Sequence, residues 1–162
     1  MSNSSVSVDS VSFRRACAKF ATGVTVATIL TPDGSPHGMT ANSFTSVSCC
    51  PPLVLLCVDH RTSILAGFRS SVHFGVNVLS EEQRDLSMRF AQKGQDRFDQ
   101  IPWNAGQTGV PLIEDALASF ECRVTERVTA GDHDIIIGEV LSARIKEGRP
   151  LVFFNSAYGS LA

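Results

Sequence analysis

A double proline at positions 51 and 52 separates a polar segment from an apolar one, and this boundary constrains the fold most strongly. Residues 38–48 read GMTANSFTSVS, which is rich in hydroxyl and amide side chains. Residues 53–59 read LVLLCVD, a run of strand length that suits a buried sheet. Because proline fixes its own φ and restricts the preceding residue, the pair ends one element and sets the entry angle of the next.

The polar segment is consistent with two interpretations. Small residues leave backbone N–H and C=O groups accessible, so a flat polar ligand can lie against such a strand. Five short side chains add hydrogen-bonding groups that suit ring edges and phosphate oxygens: Thr40, Asn42, Ser43, Thr45 and Ser46. The alternative is an edge strand whose hydroxyls bond only to nearby backbone. Composition alone favours this alternative, because hydroxyl-rich strands are common.

Composition indicates an ordinary globular domain. The chain has 162 residues, of which 43% are hydrophobic and 19% charged, enough for one domain with a full core. Its net charge of −2 gives no general attraction to nucleic acid or to anionic membranes. No apolar stretch reaches the length of a membrane span. We expect a flexible tail over residues 1–10 and one domain over residues 11–162.

The cysteines and the N-terminus favour a cytoplasmic protein with reduced thiols. Residues 1–10 are Ser-rich and lack the basic and apolar regions of a secretory signal. The five cysteines have no CxxC spacing and no His pair that would complete a zinc site, so no metal site is predicted. They are Cys17, Cys49, Cys50, Cys57 and Cys122.

The remaining pattern predicts short helices among more numerous strands. Helices are expected over residues 13–21 with Ser12 as the cap, over 64–68 with Thr62 or Ser63 as the cap, and from the capping box at 80–83 to about 92. Strands are expected over residues 23–30, 73–79, 118–127, 133–145 with a break at Gly138, and 151–154. Turns join most neighbours, so we predict a mainly β fold, an antiparallel barrel with short helices at its ends.

Three further features bear on a site. The N-terminus of the helix at 64–68 follows the buried strand and is a plausible phosphate seat. Residues 93–112 lack periodicity, and a loop of this length is usually functional or mobile. The strand at 118–127 alternates, with Phe120, Cys122 and Val124 predicted inward and Glu121, Arg123 and Thr125 outward.

The sequence contains no familiar catalytic constellation. GxGxxG, GxxxxGK[ST] and GxSxG are absent, and the four histidines have no HExxH spacing. His133 lies at a junction between a turn and a strand, where an isolated histidine more often bonds to its neighbours than acts on a ligand. Catalysis is still possible without such groups, because hydride transfer between nicotinamide and flavin is chemistry that the cofactors carry.

The order and spacing of several motifs carry a resemblance. GMTANSFTSVS followed by PPLVLLCVD is joined by VHFGVNVLS at 72–80, Arg97-Phe98, Gly131-Asp132-His133, IGEV at 137–140 and a closing segment with Tyr158-Gly159. Together they resemble the flavin reductase-like, FMN-binding split-barrel family, in particular the short-chain reductase components of two-component flavin-dependent monooxygenases. The resemblance runs from Phe13 onward and reverses the preference between the two interpretations of the polar segment.

The resemblance implies a homodimeric split β-barrel that reduces FAD or FMN with NAD(P)H and supplies reduced flavin, by diffusion, to a separate monooxygenase. Contact with the isoalloxazine is implied for Thr40, Ala41, Asn42 and Ser43. The ribityl and phosphate region is implied for Ser46, Cys57, Val58 and Ser63, with Arg89 as a cationic arm. His133 is implied on the nicotinamide side, and Tyr158 near the flavin or the pyridine nucleotide.

Other functions on the same barrel stay open from the sequence. A non-catalytic flavin-binding electron carrier would hold its flavin tightly, whereas the open polar segment favours loose binding. An oxidase of the pyridoxamine-phosphate type is disfavoured, because no basic cluster for a second phosphorylated substrate lies near the flavin segment. NADH is preferred to NADPH, since no Arg or Lys adjoins His133, although Arg123 or Arg127 can fold towards it. The choice between FAD and FMN is not settled by these motifs.

Overall fold

A computed structural model describes residues 8–94 and 96–161. The helices are α1 (Ser10–Cys17), α2 (Leu65–Ser70) and α3 (Arg84–Ala91), the last preceded by a 3₁₀ turn (Glu81–Gln83). The strands are β1 (Thr22–Gly23), β2 (Thr25–Leu30), β3 (Pro36–Ala41), β4 (Thr45–Cys49), β5 (Pro52–Asp59), β6 (His73–Val78), β7 (Trp103–Ala105), β8 (Pro111–Ile113), β9 (Ala118–Ala130), β10 (His133–Ile145), β11 (Val152–Phe154) and β12 (Ala157–Gly159).

The main sheet has seven antiparallel strands in the order β3-β2-β6-β9-β10-β5-β4. It surrounds one apolar cluster that contains residues of β2, β3, β5, β6, β9 and β10 and the buried Phe68 of α2. The prediction of a mainly β, antiparallel fold with short helices is confirmed. β3 and β4 are consecutive in the chain yet form the two edges of the sheet, so it is split between them.

Local signals placed several elements correctly. The turn at residues 31–34 joins β2 to β3 in a hairpin, with Gly34 at φ 84°. The capping box forms, and the Ser80 N–H donates to Gln83 Oε1 at 3.1 Å. The break at Gly138 is a register shift in the pairing of β9 with β10. A Cβ there would lie 2.5 Å from the ring of the buried Phe74, so the close approach requires glycine.

The start of the chain differs from the prediction. Helix α1 begins at Ser10, and Asp9 caps it by accepting from the N–H groups of Val11 and Ser12 at 3.0 Å each. The expected cap at Ser12 is therefore wrong, because Asp9 offers an acceptor three residues earlier. Asp9 and Ser10, which the prediction placed in the tail, belong to the capped start of α1. Residues 1–7 of the predicted tail lie outside the described part of the chain.

Other differences arise from contacts distant in sequence. The loop at 93–112 contains β7 and the start of β8, and β12 follows the strand expected to be last. Helix α2 begins after Ile64 without a side-chain cap, so the expected caps at Thr62 and Ser63 are wrong. Glu121, predicted outward, is buried, and its carboxylate accepts from Thr108 and Ser142. Burial raises the pKa of Glu121, but these hydrogen bonds outweigh it and leave the pKa lowered.

Asn77 links four strands in the interior. It is fully buried on β6, and its Nδ2 donates to the Val26 carbonyl oxygen of β2 at 3.2 Å. Its Oδ1 accepts from the Ile113 N–H of β8 at 2.8 Å and from the Ser119 hydroxyl of β9 at 3.0 Å. One amide side chain therefore satisfies three polar groups that water does not reach.

Asn77→Leu is expected to lower the free energy of unfolding by about 2–4 kcal/mol, because Ile113 and Ser119 lose their acceptor while buried. Urea denaturation should show a lower midpoint with an unchanged slope. Asn104→Leu is the matched control: Asn104 is exposed on β7, and the same substitution there should cost about 0.5 kcal/mol or less. Equal effects at the two positions would contradict this role for Asn77.

Candidate active site

A cavity of about 660 Å³ lies where the sheet is split. The end of β3 and the linker at 42–44 form one wall, and the outer face of β5 forms another. The loop after β5, the start of β10 and the loop after α3 complete it. We call this cavity the strand-end pocket. Its walls come from distant parts of the chain that sheet pairing and helix packing bring together.

The β3 wall offers backbone groups because β3 is an edge strand. Helix α3 packs against this strand so closely that a Cβ at Gly38 would lie 2.8 Å from the ring of Phe90. Thr40 Oγ1 donates to the Ser87 carbonyl oxygen of α3 at 2.6 Å, which fixes the threonine side chain. The Ala41 carbonyl oxygen accepts from Thr25 at 2.7 Å. β3 is therefore held rigidly while its outer edge faces the pocket.

The linker between β3 and β4 is tied to β5 by Ser43. Its hydroxyl oxygen accepts from the Cys57 N–H at 3.0 Å and donates to the Cys57 carbonyl oxygen at 3.2 Å. Burial raises the pKa of the Cys57 thiol, with the Ser43 hydrogen bond acting in the opposite direction, so the thiol stays neutral near pH 7. Asn42 is exposed beside it and presents its amide to the pocket.

His133 enters the pocket at the start of β10, opposite Asp59 at the end of β5. Its Nδ1 lies 2.6 Å from Asp132 Oδ1, and this hydrogen bond lowers the pKa of Asp132. Arg61 Nη2 donates to Asp59 Oδ2 at 2.6 Å, and this interaction lowers the pKa of Asp59. The carboxylate of Asp59 thus neutralises Arg61, and that of Asp132 orients the imidazole.

Arg97 is a pocket guanidinium that no carboxylate of the described residues neutralises. Its Nη1 donates to the Gly38 carbonyl oxygen at 2.7 Å. Its Nε is buried without an acceptor within residues 8–94 and 96–161, and no ion pair to Arg97 forms there. Burial lowers the pKa of the guanidinium, which still remains charged near neutral pH. An anionic group would satisfy both the charge and the donor.

Two contacts hold the loop that carries Arg97. Phe98 is buried, with its ring edge-on to Phe90 at a centroid distance of 4.9 Å. Arg89 of α3 donates through Nη2 to the carbonyl oxygens of Asp99 at 2.6 Å and Asp96 at 3.4 Å. Arg89 therefore positions the loop of Arg97.

The structure brings most of the candidate residues together and leaves four apart. Those lining the strand-end pocket are Thr40, Ala41, Asn42, Ser43, Cys57, Ser63 and His133. Ser46 lies outside it on β4, opposite Val54, and Arg89 binds the loop at 96–99 instead of reaching the pocket. Tyr158 hydrogen-bonds the Ser87 hydroxyl at 2.8 Å, behind the β3 wall.

Val58 is the fourth residue set apart. Its side chain is fully buried in the core, whereas Cys57 and Asp59 face the pocket. The burial pattern of β5 alternates strictly, as successive side chains of a strand point to opposite faces. Only the backbone of Val58 can therefore serve a ligand.

Sequence reasoning missed several residues of the pocket. Arg61 and Thr62 lie in the segment predicted as a phosphate seat but were not singled out, and Lys93 and Arg97 fall in the loop without periodicity. The pair Arg97-Phe98 was the available signal, because a buried aromatic next to a cation indicates an anchored loop. Nothing local distinguished Arg97 from Arg89.

A buried carboxylate supports the pocket from behind His133. The side chain of Asp134 is 5% exposed and accepts from Arg69 Nε at 2.7 Å, from Thr129 at 3.0 Å and from His60 Nε2 at 2.8 Å. The hydrogen bond from Arg69 is the largest cause of its lowered pKa, and that from His60 is the next. This network fixes the start of β10, from which His133 projects.

Asp134→Asn is expected to lower the free energy of unfolding at pH 7, because Arg69 and His60 lose a charged acceptor. The half-exposed position of Arg69 limits this loss. The folded-state pKa of Asp134 lies below its unfolded value of about 3.9, so its contribution is present above about pH 4 and is lost as pH falls through the folded pKa.

Denaturation measured from pH 7 down to pH 2 tests this dependence. The difference between wild type and Asp134→Asn should shrink on acidification. Asp99→Asn, at an exposed carboxylate, should leave the curve unchanged. A difference that stays constant down to pH 2 would contradict the assignment.

Comparison with known proteins gives the family context of the pocket. Residues 17–162 match the family described as "Flavin reductase like domain". The FMN reductase (NADH) SmoA of Agrobacterium fabrum is 48% identical over 151 residues, which cover 93% of this chain and 86% of that protein. The reductase component of the flavin-dependent trigonelline monooxygenase of Acinetobacter baylyi is 41% identical over 90% of this chain. The match spans 47% of that longer protein.

A solved structure gives the same result in three dimensions. The NADH:FAD oxidoreductase SgcE6 of Streptomyces globisporus, in complex with NAD and FAD fragments, superposes with a TM-score of 0.90 at 38% identity. The match covers 95% of this chain and 93% of that one. The likeness in fold therefore extends over nearly the whole of both chains.

Proposed function

The chain belongs to the flavin reductase-like family and is an NADH-dependent flavin reductase, and we propose that the strand-end pocket is where it transfers the hydride. The observation that carries this assignment is one cavity lined by the edge of β3, the free amide of Asn42, the uncompensated guanidinium of Arg97 and His133. When bound, flavin and nicotinamide supply the redox chemistry, and the protein supplies binding and orientation.

The residues of the pocket fit a flavin. A volume of about 660 Å³ lies within the range of about 300–1,000 Å³ usual for small-molecule sites. The outer edge of β3 and the residues Ala41, Asn42 and Ser43 offer backbone and short side-chain groups to the polar edge of a flat ring. The buried Nε of Arg97 has no acceptor among the described residues, and a phosphate oxygen would provide one. Ser63, beside it, adds a hydroxyl.

His133 faces this wall from across the pocket, so we assign it to the nicotinamide side. Asp132 holds its Nδ1, which leaves Nε2 for the ligand. NADH fits better than NADPH, because the two arginines considered for a 2′-phosphate, Arg123 and Arg127, are engaged elsewhere. Arg127 donates to the Phe68 carbonyl oxygen, and Arg123 pairs with Glu139.

The activity is tested by following NADH oxidation while FAD, FMN or riboflavin is titrated into apoprotein. Saturable turnover that rises with added flavin is expected, since the flavin acts as a substrate. A protein that retains flavin through gel filtration and turns over no added flavin would be an electron carrier, and would overturn the proposal.

His133→Ala is expected to raise the KM for NADH about tenfold while changing flavin affinity by about twofold or less, because the imidazole meets the nicotinamide and not the flavin wall. Steady-state kinetics gives the first value and flavin fluorescence titration the second. His73→Ala, at a histidine outside the pocket, should change neither. Equal losses of NADH and flavin affinity would contradict the role of His133.

We also infer a homodimer. The outer face of the β5–β10 pair is apolar, with partly exposed Leu53, Leu55, Ile135 and Ile137 aligned beside Cys57 of the pocket. A contiguous apolar surface of this kind typically marks an interface. A second copy seated there would also cover one side of the strand-end pocket.

Ile137→Glu is therefore expected to shift the protein from dimer to monomer and to weaken flavin binding, because a charge at this face is costly to bury. Light scattering after gel filtration measures the mass, and Val11→Glu, at an exposed residue of α1 outside this face, serves as the control. A wild-type protein that is monomeric at all concentrations would contradict the interface.

Reduced flavin is supplied to a separate monooxygenase, in keeping with the names of relatives such as the trigonelline reductase component. We propose that it travels by diffusion, since the pocket opens to solvent along its mouth at Asn42 and Lys93, and that the exchange takes place in the cytoplasm. No helix in the described ranges is long and apolar enough to cross a lipid bilayer. Likewise, no group of three potential metal ligands occurs among the described residues.

A further inference from the structure

A second cavity of about 520 Å³ adjoins the strand-end pocket. The entry of β3 forms one side of it, Ile64 its floor, and the loop at 96–98 the other side. The two cavities share Ser63 and Arg97, so the guanidinium stands at the junction between them. We call this second space the side chamber. The proposed flavin site uses only the first cavity and leaves the side chamber unexplained.

We propose that the side chamber binds the adenosine diphosphate half of a dinucleotide, with Arg97 on the pyrophosphate at the junction. The proposal rests on the flavin reductase function of the strand-end pocket and extends it. A dinucleotide has two nucleoside halves joined by a pyrophosphate. The protein has two cavities that meet at the guanidinium of Arg97. Planar guanidinium groups bind such phosphates through paired hydrogen bonds.

The donor at the junction is already in place. Arg97 Nη1 is fixed by the Gly38 carbonyl oxygen at 2.7 Å, which orients the guanidinium plane. Its Nε is buried and has no acceptor in the described part of the chain, so a polar atom of a ligand is needed to satisfy it. Arg89 and Phe98 hold the loop, so this geometry exists before any ligand arrives.

The lining of the side chamber suits a nucleoside better than a free anion. Apart from Arg97, no described residue lining it carries a permanent positive charge, and Asp96 adds a carboxylate that disfavours phosphate deep in the chamber. One oxygen of Asp96 accepts from the Phe98 N–H at 3.1 Å, and the other is available for a ribose hydroxyl. Pro36, Ile64 and the exposed ring of His37 offer apolar and flat surfaces for a base.

Two dinucleotides of the reaction carry this half, FAD and NADH. The shared chemistry is adenosine diphosphate, and kinetics with truncated substrates distinguishes the sources. FMN lacks the adenylate of FAD, and reduced nicotinamide mononucleotide lacks that of NADH. A defect confined to one dinucleotide therefore names the occupant.

Ser35→Trp is designed to fill the side chamber, since Ser35 lines that chamber and not the strand-end pocket. His37→Glu replaces the ring offered to the base with a negative charge. The matched control is His73→Glu, the same substitution at a histidine outside both cavities. Circular dichroism and the melting temperature first establish that each variant folds like wild type. If one chamber variant does not fold, the other one carries the test. Initial rates are then measured with each full and truncated substrate.

If FAD occupies the side chamber, kcat/KM for FAD should fall about tenfold in both chamber variants while that for FMN stays within about twofold. If NADH occupies the side chamber, the KM for NADH, measured with riboflavin as acceptor, should rise about tenfold in both chamber variants. The KM for reduced nicotinamide mononucleotide should stay unchanged. Unchanged values for both dinucleotides, or equal losses for the full and truncated substrates, would overturn the proposal.

Arg97→Met provides an independent arm. FAD and FMN affinities should both fall, because each ligand places a phosphate at the junction, whereas riboflavin affinity should persist. Quenching of flavin fluorescence measures these affinities without turnover. The chamber proposal therefore stays testable even if wild-type protein reduced no flavin, which would overturn only the proposed function. If Arg97→Met weakened riboflavin binding as much as FAD and FMN binding, Arg97 would not be the residue that binds the phosphate.

Discussion

The separation of β3 from β4 is the constraint on which the site depends. The two strands follow each other in the chain but form opposite edges of one sheet, so the outer edge of β3 has no partner strand. Ser43 bonds both backbone groups of Cys57 and keeps the intervening linker against β5. An exposed edge normally invites aggregation, and here helix α3 and the pocket loops cover it. At this edge β3 forms no ladder hydrogen bonds with a further strand. Its backbone N–H and C=O groups there are therefore available to a ligand.

Charge balance around that edge explains why the guanidinium of Arg97 is available for a phosphate. Arg61 is neutralised by Asp59, and Arg69 by the buried Asp134. Arg97 is held by a neutral carbonyl oxygen, which fixes its position without neutralising its charge. A guanidinium that is positioned in advance loses little conformational entropy on binding. The two cavities on either side of it then give one protein a means of distinguishing mononucleotides from dinucleotides.

Much of the pocket was predictable from sequence because its β3 wall is contiguous. Thr40 to Ser43 are consecutive, and the resemblance assigned them a common ligand. The structure sets a candidate apart from the pocket where neighbouring residues face opposite ways or where a long side chain has a choice of partners. Val58 follows Cys57 directly, and successive side chains of a strand point to opposite faces, so the Val58 side chain lies in the core. Arg89 is a cation at a helix end near the pocket, but it donates to the carbonyl oxygen of Asp99, ten residues later.

The sequence by itself determined what short-range physics controls: the hairpin turn at Gly34, the capping box at Ser80 and the alternation of β5. Each depends on backbone dihedrals or on residues a few positions apart. Only the tertiary structure decided that Glu121 is buried, that Arg97 and not Arg89 enters the pocket, and that a second cavity adjoins the first. These outcomes depend on hydrogen-bond partners and packing surfaces that are distant in the chain, and a linear pattern does not record which of them meet.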